Sequence, residues 1–381
     1  MRTTSLILLL TVSLLLALSI TMLSSAVMLL KDFESMVKVQ VLAVGAGIAA
    51  MYALWRIDYR RLLQLHWWSY AGAILLLVLV LSPLGTYRNG AQRWVFGIQP
   101  AEFAKISLLL TLTAWCSRHE ARIRLGDPKV SCLYGFLAPG LLVAPLLGLL
   151  YVQPDRGTLI LFGLVTVVLM LLSGLHLAYA GISTGMGALL GLHFYHSSEM
   201  VRKRLDAFLH PELYRETTGA QALKSLAALR EGGLHGTGLG SGVIKLTIPE
   251  QHTDFILPVI GEELGLFFTL AVVTAFVVIL LCAVRIASRA ADPAGRLLAG
   301  GIGFLVAGQA AINVAVVTNS MINKGMPLPF VSRGGSSMVA MLALMGLLLS
   351  IARQAPETAE GPSAPRSNPF GDGDIETLPA R

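Results

Sequence analysis

Ten apolar runs constrain the fold of this chain more than any other feature. They lie near residues 5–26, 38–55, 65–83, 101–116, 131–152, 157–174, 177–195, 257–284, 295–317 and 336–352. A helix needs roughly 17–25 apolar residues to cross a bilayer, and the runs approach or reach that length. Of the 381 residues, 13% are charged and 55% hydrophobic, whereas a soluble domain carries about 25% charged residues. The expected fold is an all-α polytopic membrane protein with about ten transmembrane helices. One long extracytoplasmic loop, 196–256, falls between helices 7 and 8. The first run follows Arg2 as in a signal peptide, but it outlasts a typical signal core and reads as an uncleaved span.

An even number of spans puts both termini on one side. Arg56, Arg60 and Arg61, then Arg118, Arg122, Arg124 and Lys129, then Arg285, Arg289 and Arg296 fall in short loops on the side of Arg2. Basic short loops mark the cytoplasmic side, so both termini are expected there and the long loop outside. The net charge of +7 then points to orientation and lipid headgroups, and no nucleic-acid motif accompanies it. Cys116, Cys132 and Cys282 lack metal-site spacing and fall near cytoplasmic helix ends, where no disulfide is expected. Residues 1–352 make up the membrane domain. Beyond it, residues 353–381, with Pro356, Pro362, Pro365 and Pro369, read as a disordered cytoplasmic tail.

The most polar stretch between spans is Gly232–Gly265, which holds Lys245, Glu250, His252, Asp254, Glu262 and Glu263. Ionisable residues at a membrane boundary are costly and mark functional candidates. Asp254 leads them: partial desolvation beside the apolar run that follows would raise its pKa and suit it to act as a base. An N-cap for the next helix is an equal reading of the same residue. Glu262 and Glu263 could join Asp254, bind a divalent cation, or cap or pair with a neighbouring helix. The series Gly232, Gly233, Gly236, Gly238, Gly240 and Gly242 follows no strand, so turn-making is preferred over a nucleotide loop.

Three shorter polar segments, 90–105, 153–158 and 323–337, face the same outer side and imply a polar cleft there. In the first, Pro100 opens a helix and puts Glu102 and Lys105 on one face. They form either a local ion pair or a cation site for substrate. His66 and His176 read as interfacial or structural.

In order along the chain stand QRW and QPAEFAK (Gln92–Lys105), QPDRGT (Gln153–Thr158), RLDAFLHP (Arg204–Pro211), and GGLHGTGLG with PEQHTDF (Gly232–Phe255). GEELG (Gly261–Gly265) and LPFVSRGGSS (Leu328–Ser337) complete the series. Together these segments resemble the SEDS family of polytopic cell-wall polymerases over roughly Ser5 to Ile351. Lys245, Lys324–Gly325 and the double serine resemble its cell-division branch more than its elongation branch. The chain departs from the family pattern at Ala220, Arg156 and Arg333, and in the Lys245–Pro249 spacing.

The resemblance implies a peptidoglycan glycosyltransferase that joins lipid II, an undecaprenyl-pyrophosphate-linked disaccharide-pentapeptide, into glycan strands at the septum. The family's essential aspartate falls on Asp254, and Asp155 belongs to the same cavity. Arg93, Lys105, Lys245 or a divalent cation, Mg or Mn, would stabilise the departing pyrophosphate. Gln99, Glu102, Glu250, His252, Glu263, Ser332, Ser336 and Ser337 are the other candidate substrate-binding residues. A class B penicillin-binding protein and other divisome membrane proteins are the implied partners, in the bacterial inner membrane. The competing functions are a lipid II flippase, a scaffold of the division machinery, and the elongation-type activity. A flippase needs polar residues through the bilayer midplane, whereas here they concentrate on the outer face.

Overall fold

The computed structural model describes residues 1–28, 32–88, 91–217 and 219–356. The proposed tail beyond 356 lies outside the described residues. Each of the ten apolar runs falls on a helix: α1 (Arg2–Val27), α2 (Phe33–Arg56), α3 (His66–Leu81), α4 (Pro100–Arg118), α5 (Pro128–Val152), α6 (Arg156–Leu172), α7 (Ala178–Ser197), then α10 (Ile256–Ser288), α11 (Pro293–Val317) and α12 (Gly335–Gln354). Between α7 and α10 lie α8 (Glu199–Leu209) and α9 (Ala220–Gly232). By length and hydropathy, α1, α2, α5, α10, α11 and α12 can cross a membrane, and α3 and α6 are shorter apolar helices. The chain is a multi-pass membrane protein.

A helix that is apolar all round belongs in a core, and α12 is one. Nearly all its residues from Ser336 to Ala352 are buried, packed on α2 and α4. The other central helix, α11, packs against α10, α6 and α4. Its buried Gly301 and Gly303 let Leu109, Leu169 and Ala283 approach the backbone. By contrast α7 buries no residue and lies at the edge, against α6 and α8.

Two features depart from a plain bundle. A short antiparallel hairpin, β1 (Gly85–Arg88) and β2 (Ala91–Val95), occupies the loop before α4. The all-α expectation passed over it because its Thr, Tyr, Trp and Val residues form strands too brief to show a period. Gln92 pins the hairpin to the end of α3 by donating to the Ser82 and Gly85 carbonyls at 2.9 and 3.0 Å.

The second is a break in α10 at Gly265, whose φ of 80° and ψ of −175° interrupt the helix. The carbonyls freed there need partners, and the glycine series provides them. Thr237 and Gly238 donate to the carbonyls of Glu262 and Glu263 at 2.9 and 3.0 Å, and Leu266 donates to Gly233. A Cβ on Gly236 would lie 2.2 Å from the Glu263 oxygen, so the close approach requires glycine. The series is a cap for a broken helix, as turn-making predicted.

Candidate active site at the polar end of the bundle

Asp254 closes the turn that leads into α10, and two neighbouring elements hold that turn by its backbone. Asn313 of α11 donates from Nδ2 to the carbonyls of Asp254 and Met326, each at 2.8 Å. Ser332 donates its hydroxyl to the Thr253 carbonyl at 2.5 Å and accepts from Leu328 N at 2.8 Å. Arg333 N donates to the His252 carbonyl at 2.9 Å. The 251–255 turn and the 326–333 loop are thus one clamped unit.

The Asp254 carboxylate itself has no hydrogen-bond partner among the described residues. It is not the helix cap: Phe255 holds that position, without a capping side chain. Asp254 Oδ2 lies 2.4 Å from where a Cβ on residue 325 would sit, so Gly325 leaves the carboxylate its space. Burial pushes the Asp254 pKa up to about 7, with the negative charges of Glu250 and Asp155 adding and Arg93 opposing. A carboxylate with that pKa is a base matched to neutral pH.

Arg93, whose charge acts on Asp254, begins a row of cations that continues through Arg156 and Arg204 to Lys324. Arg93, on β2, donates from Nη2 to the Pro154 carbonyl at 2.5 Å, with Nη1 3.9 Å from Asp155 Oδ1. Asp155 caps α6, accepting from Thr158 Oγ1 at 2.9 Å. Arg156 lies over the Phe194 ring and donates to Ser198 Oγ at 3.2 Å. Arg204, on α8, donates to the Asn323 carbonyl at 3.3 Å. Beside it Lys324 has its pKa lowered to about 8, first by burial and then by Arg156 and Arg204. Burial, Arg156 and Arg93 likewise lower Arg204. Cations that repel one another this closely make a site for a multiply charged anion such as pyrophosphate.

The remaining candidates divide into near and far. Glu250 is exposed, its carboxylate accepting from Thr253 Oγ1 at 2.9 Å, and its charge acts on Asp254. His252 is half-buried, its pKa lowered first by burial and then by Arg333. Ser332 is engaged with backbone, as described. Ser336 Oγ accepts from Gln99 N at 3.0 Å, which joins the starts of α4 and α12. Ser337 is buried in the first turn of α12.

Two of the expected cations, Lys105 and Lys245, are engaged within the protein. Lys105 is 1% exposed and bonds Glu102 at 2.8 Å and Gln309 Oε1 at 2.7 Å. Gln309 in turn donates to the Pro327 carbonyl, so the local pair is extended into a brace for the 326–333 loop. Lys245 is also 1% exposed; its Nζ pairs with Glu263 and donates to Ser25 Oγ at 2.9 Å. Glu263 also accepts from Ser25, which ties α1 to the broken segment of α10. Glu262 accepts from Ile244 N and Lys245 N at 2.7 and 2.8 Å. These groups are paired within the protein and offer no free charge to the cleft.

Arg204 and Lys324 were not among the candidates, although both lie in the recognised motifs. A lysine beside a glycine in a proline-rich loop carries no periodic signal, and only the fold brings it to Arg204.

The architecture is that of a multi-pass helical membrane protein with a row of cations and a carboxylate of raised pKa at one end. Residues 2–357 match the cell cycle protein family FtsW/RodA/SpoVE, and the chain belongs to that family. A probable peptidoglycan glycosyltransferase FtsW of Trichlorobacter lovleyi is 38% identical, covering 86% of this chain and 87% of its own. Stage V sporulation protein E of Bacillus subtilis is 34% identical, over 83% and 86%. Among solved structures, a chain of a peptidoglycan synthase complex that coordinates polymerization and crosslinking superposes with a TM-score of 0.75 at 28% identity, covering 91% of this chain and 96% of that one. The rod shape determining protein RodA of Thermus thermophilus gives 0.67 at 26% identity, over 92% and 97%.

Proposed function

We propose that this chain is a peptidoglycan glycosyltransferase that polymerises lipid II during septal wall synthesis. The observation that carries the reading is the Asp254 carboxylate, free of hydrogen-bond partners among the described residues and acted on by Arg93, the first of a row of cations that runs on to Lys324. Asp254 takes the proton of the acceptor's sugar hydroxyl as that oxygen forms a bond to the donor's anomeric carbon. The bond from that carbon to the pyrophosphate oxygen breaks, and the negative charge leaves on the pyrophosphate. Arg93, Arg156, Arg204 and Lys324 hold that charge in fixed positions, so little reorganisation accompanies the step.

Among the described residues no three His, Cys, Asp or Glu side chains converge on one point. A divalent cation, Mg or Mn, would therefore be held by Glu250 or Asp254 together with substrate phosphates, a mode common for Mg. It would supply further positive charge to the leaving group.

The partner fitting this reading is a class B penicillin-binding protein, since the superposed synthase complex couples polymerization to crosslinking. The cleft faces the outside, with both termini cytoplasmic, because the end opposite the cleft carries the arginines of the short loops. In a chain lacking its native cysteines, Leu213→Cys should react with an impermeant thiol reagent from outside, and Ser288→Cys should not. The opposite pattern would place the cleft in the wrong compartment. The decisive assay incubates the purified protein and its transpeptidase with lipid II. Glycan strands form with the natural chain and not with Asp254→Asn; equal polymerisation by both would overturn the reading.

A further inference from the structure

We propose that a small cavity beside the cation row is a subsite for the 2-acetamido group of the donor sugar. The proposal rests on the polymerase reading above and names the part of the substrate that the cavity recognises.

The cavity, which opens to solvent, has a volume of about 100 Å³. A cavity of about 150 Å³ admits benzene, with six heavy atoms, so this smaller space suits a group of about four. Its polar wall is Arg204, Gln221, Asn319 and Asn323; its apolar wall is Ala207, Phe208 and Ala222. An acetamido group carries one carbonyl acceptor, one N–H donor and one methyl, and needs a wall of each kind.

The polar wall is preorganised. Asn323 donates from Nδ2 to Gln221 Oε1 at 2.6 Å, and Arg204 donates to the Asn323 carbonyl at 3.3 Å. These bonds leave Gln221 Nε2 and the Asn319 amide without partners among the described residues. Gln221 Nε2 then donates to the acetamido carbonyl, and Asn319 Oδ1 accepts from its N–H. Ala207 and Ala222, both buried, offer shallow apolar surface to the methyl.

Position supports the same assignment. Asn323 on the cavity wall, Lys324 in the cation row and Gly325 against Asp254 are consecutive residues. Two residues of extended chain reach at most about 7 Å. In the donor, the carbon bearing the acetamido group is bonded to the anomeric carbon that bears the pyrophosphate. A donor whose pyrophosphate rests on Arg204 and Lys324 therefore carries its acetamido group within reach of the cavity.

The test uses the purified protein with its transpeptidase and three probes. These are lipid II, an analogue with hydroxyl replacing the acetamido group on the pyrophosphate-bearing sugar, and sugar-free undecaprenyl pyrophosphate. The natural chain should bind the hydroxyl analogue roughly tenfold more weakly than lipid II, because the wall amides lose neutral hydrogen-bond partners. Ala222→Leu, which fills the cavity, should weaken lipid II binding about as much. It should bind the sugar-free carrier unchanged and no longer distinguish the two sugars. If Ala222→Leu loses the sugar-free carrier as well, Gln221→Leu, which removes the amide without filling the space, decides by the same comparison. Equal affinity of the natural chain for both sugars, or a preference that survives the substitutions, overturns the subsite. Failure of the natural chain to bind any of the three probes overturns the polymerase reading instead.

Discussion

Two sets of charge meet at the polar end of this molecule, one buried and one half-buried, and they are built differently. In one, Lys105 with Glu102 and Lys245 with Glu263, every charge has an ionic partner and a further polar neighbour, Gln309 or Ser25. In the other, Asp254 has none among the described residues, and Lys324 stands among like charges that lower its pKa to about 8. Satisfied pairs hold elements together, whereas charges held without partners await a ligand. The contrast separates scaffold from chemistry where residue type alone does not, since each set contains acids and lysines.

The comparison breaks first at Asp254. Asp254→Asn keeps the volume and removes the base, so polymerisation should fall by about 10²–10⁴-fold, with yield and transpeptidase binding retained. Lost yield together with lost activity would move Asp254 into the scaffold set.

Next in size is Lys105→Met, which strands a buried Glu102 carboxylate. Removing one partner of a buried pair costs about 3–5 kcal/mol, and the measurement is protein recovered from membranes and its melting temperature. Adding Glu102→Gln to the same chain should restore both stability and polymerisation. Stability restored without activity would put Lys105 among the groups that act on substrate.

A smaller effect is expected at Lys324. Lys324→Met removes one of several cations, so the rate with lipid II should fall roughly 10²-fold, with melting unchanged or slightly raised as like-charge repulsion is relieved. A large loss of melting temperature would mark Lys324 as a structural residue.

The long apolar runs were readable because a membrane demands continuous hydrophobic length, and each of them falls on a helix. Asp254 was readable from its place at the edge of such a run. Its environment was not, since the alternative of a helix cap was settled only by the turn that brings Phe255 to that position. The full partner sets of Lys105 and Lys245 were hidden for a related reason. Spacing showed Glu102 three residues from Lys105, but Gln309 and Ser25 lie 204 and 220 residues away from the lysines they bond. Arg204 and Lys324 went unassigned because their meeting depends on α8 folding over the loop after α11. The broken helix was foreshadowed only by glycines, whose role is to let backbone approach backbone, a relation that residue type does not specify.

The central claim, that an unpaired carboxylate with a raised pKa performs the chemistry, is tested most directly by the pH dependence of kcat/KM on lipid II. Asp254 must be ionised to accept a proton, so the rate should rise with pH through about 7. It should fall again as Lys324 loses its charge above about pH 8. Because the negative charge of Glu250 helps to raise Asp254, Glu250→Gln should move the rising limb to lower pH and leave the falling limb in place. A rising limb in the ordinary carboxylate range near pH 4, or one that Glu250→Gln does not move, would contradict the account.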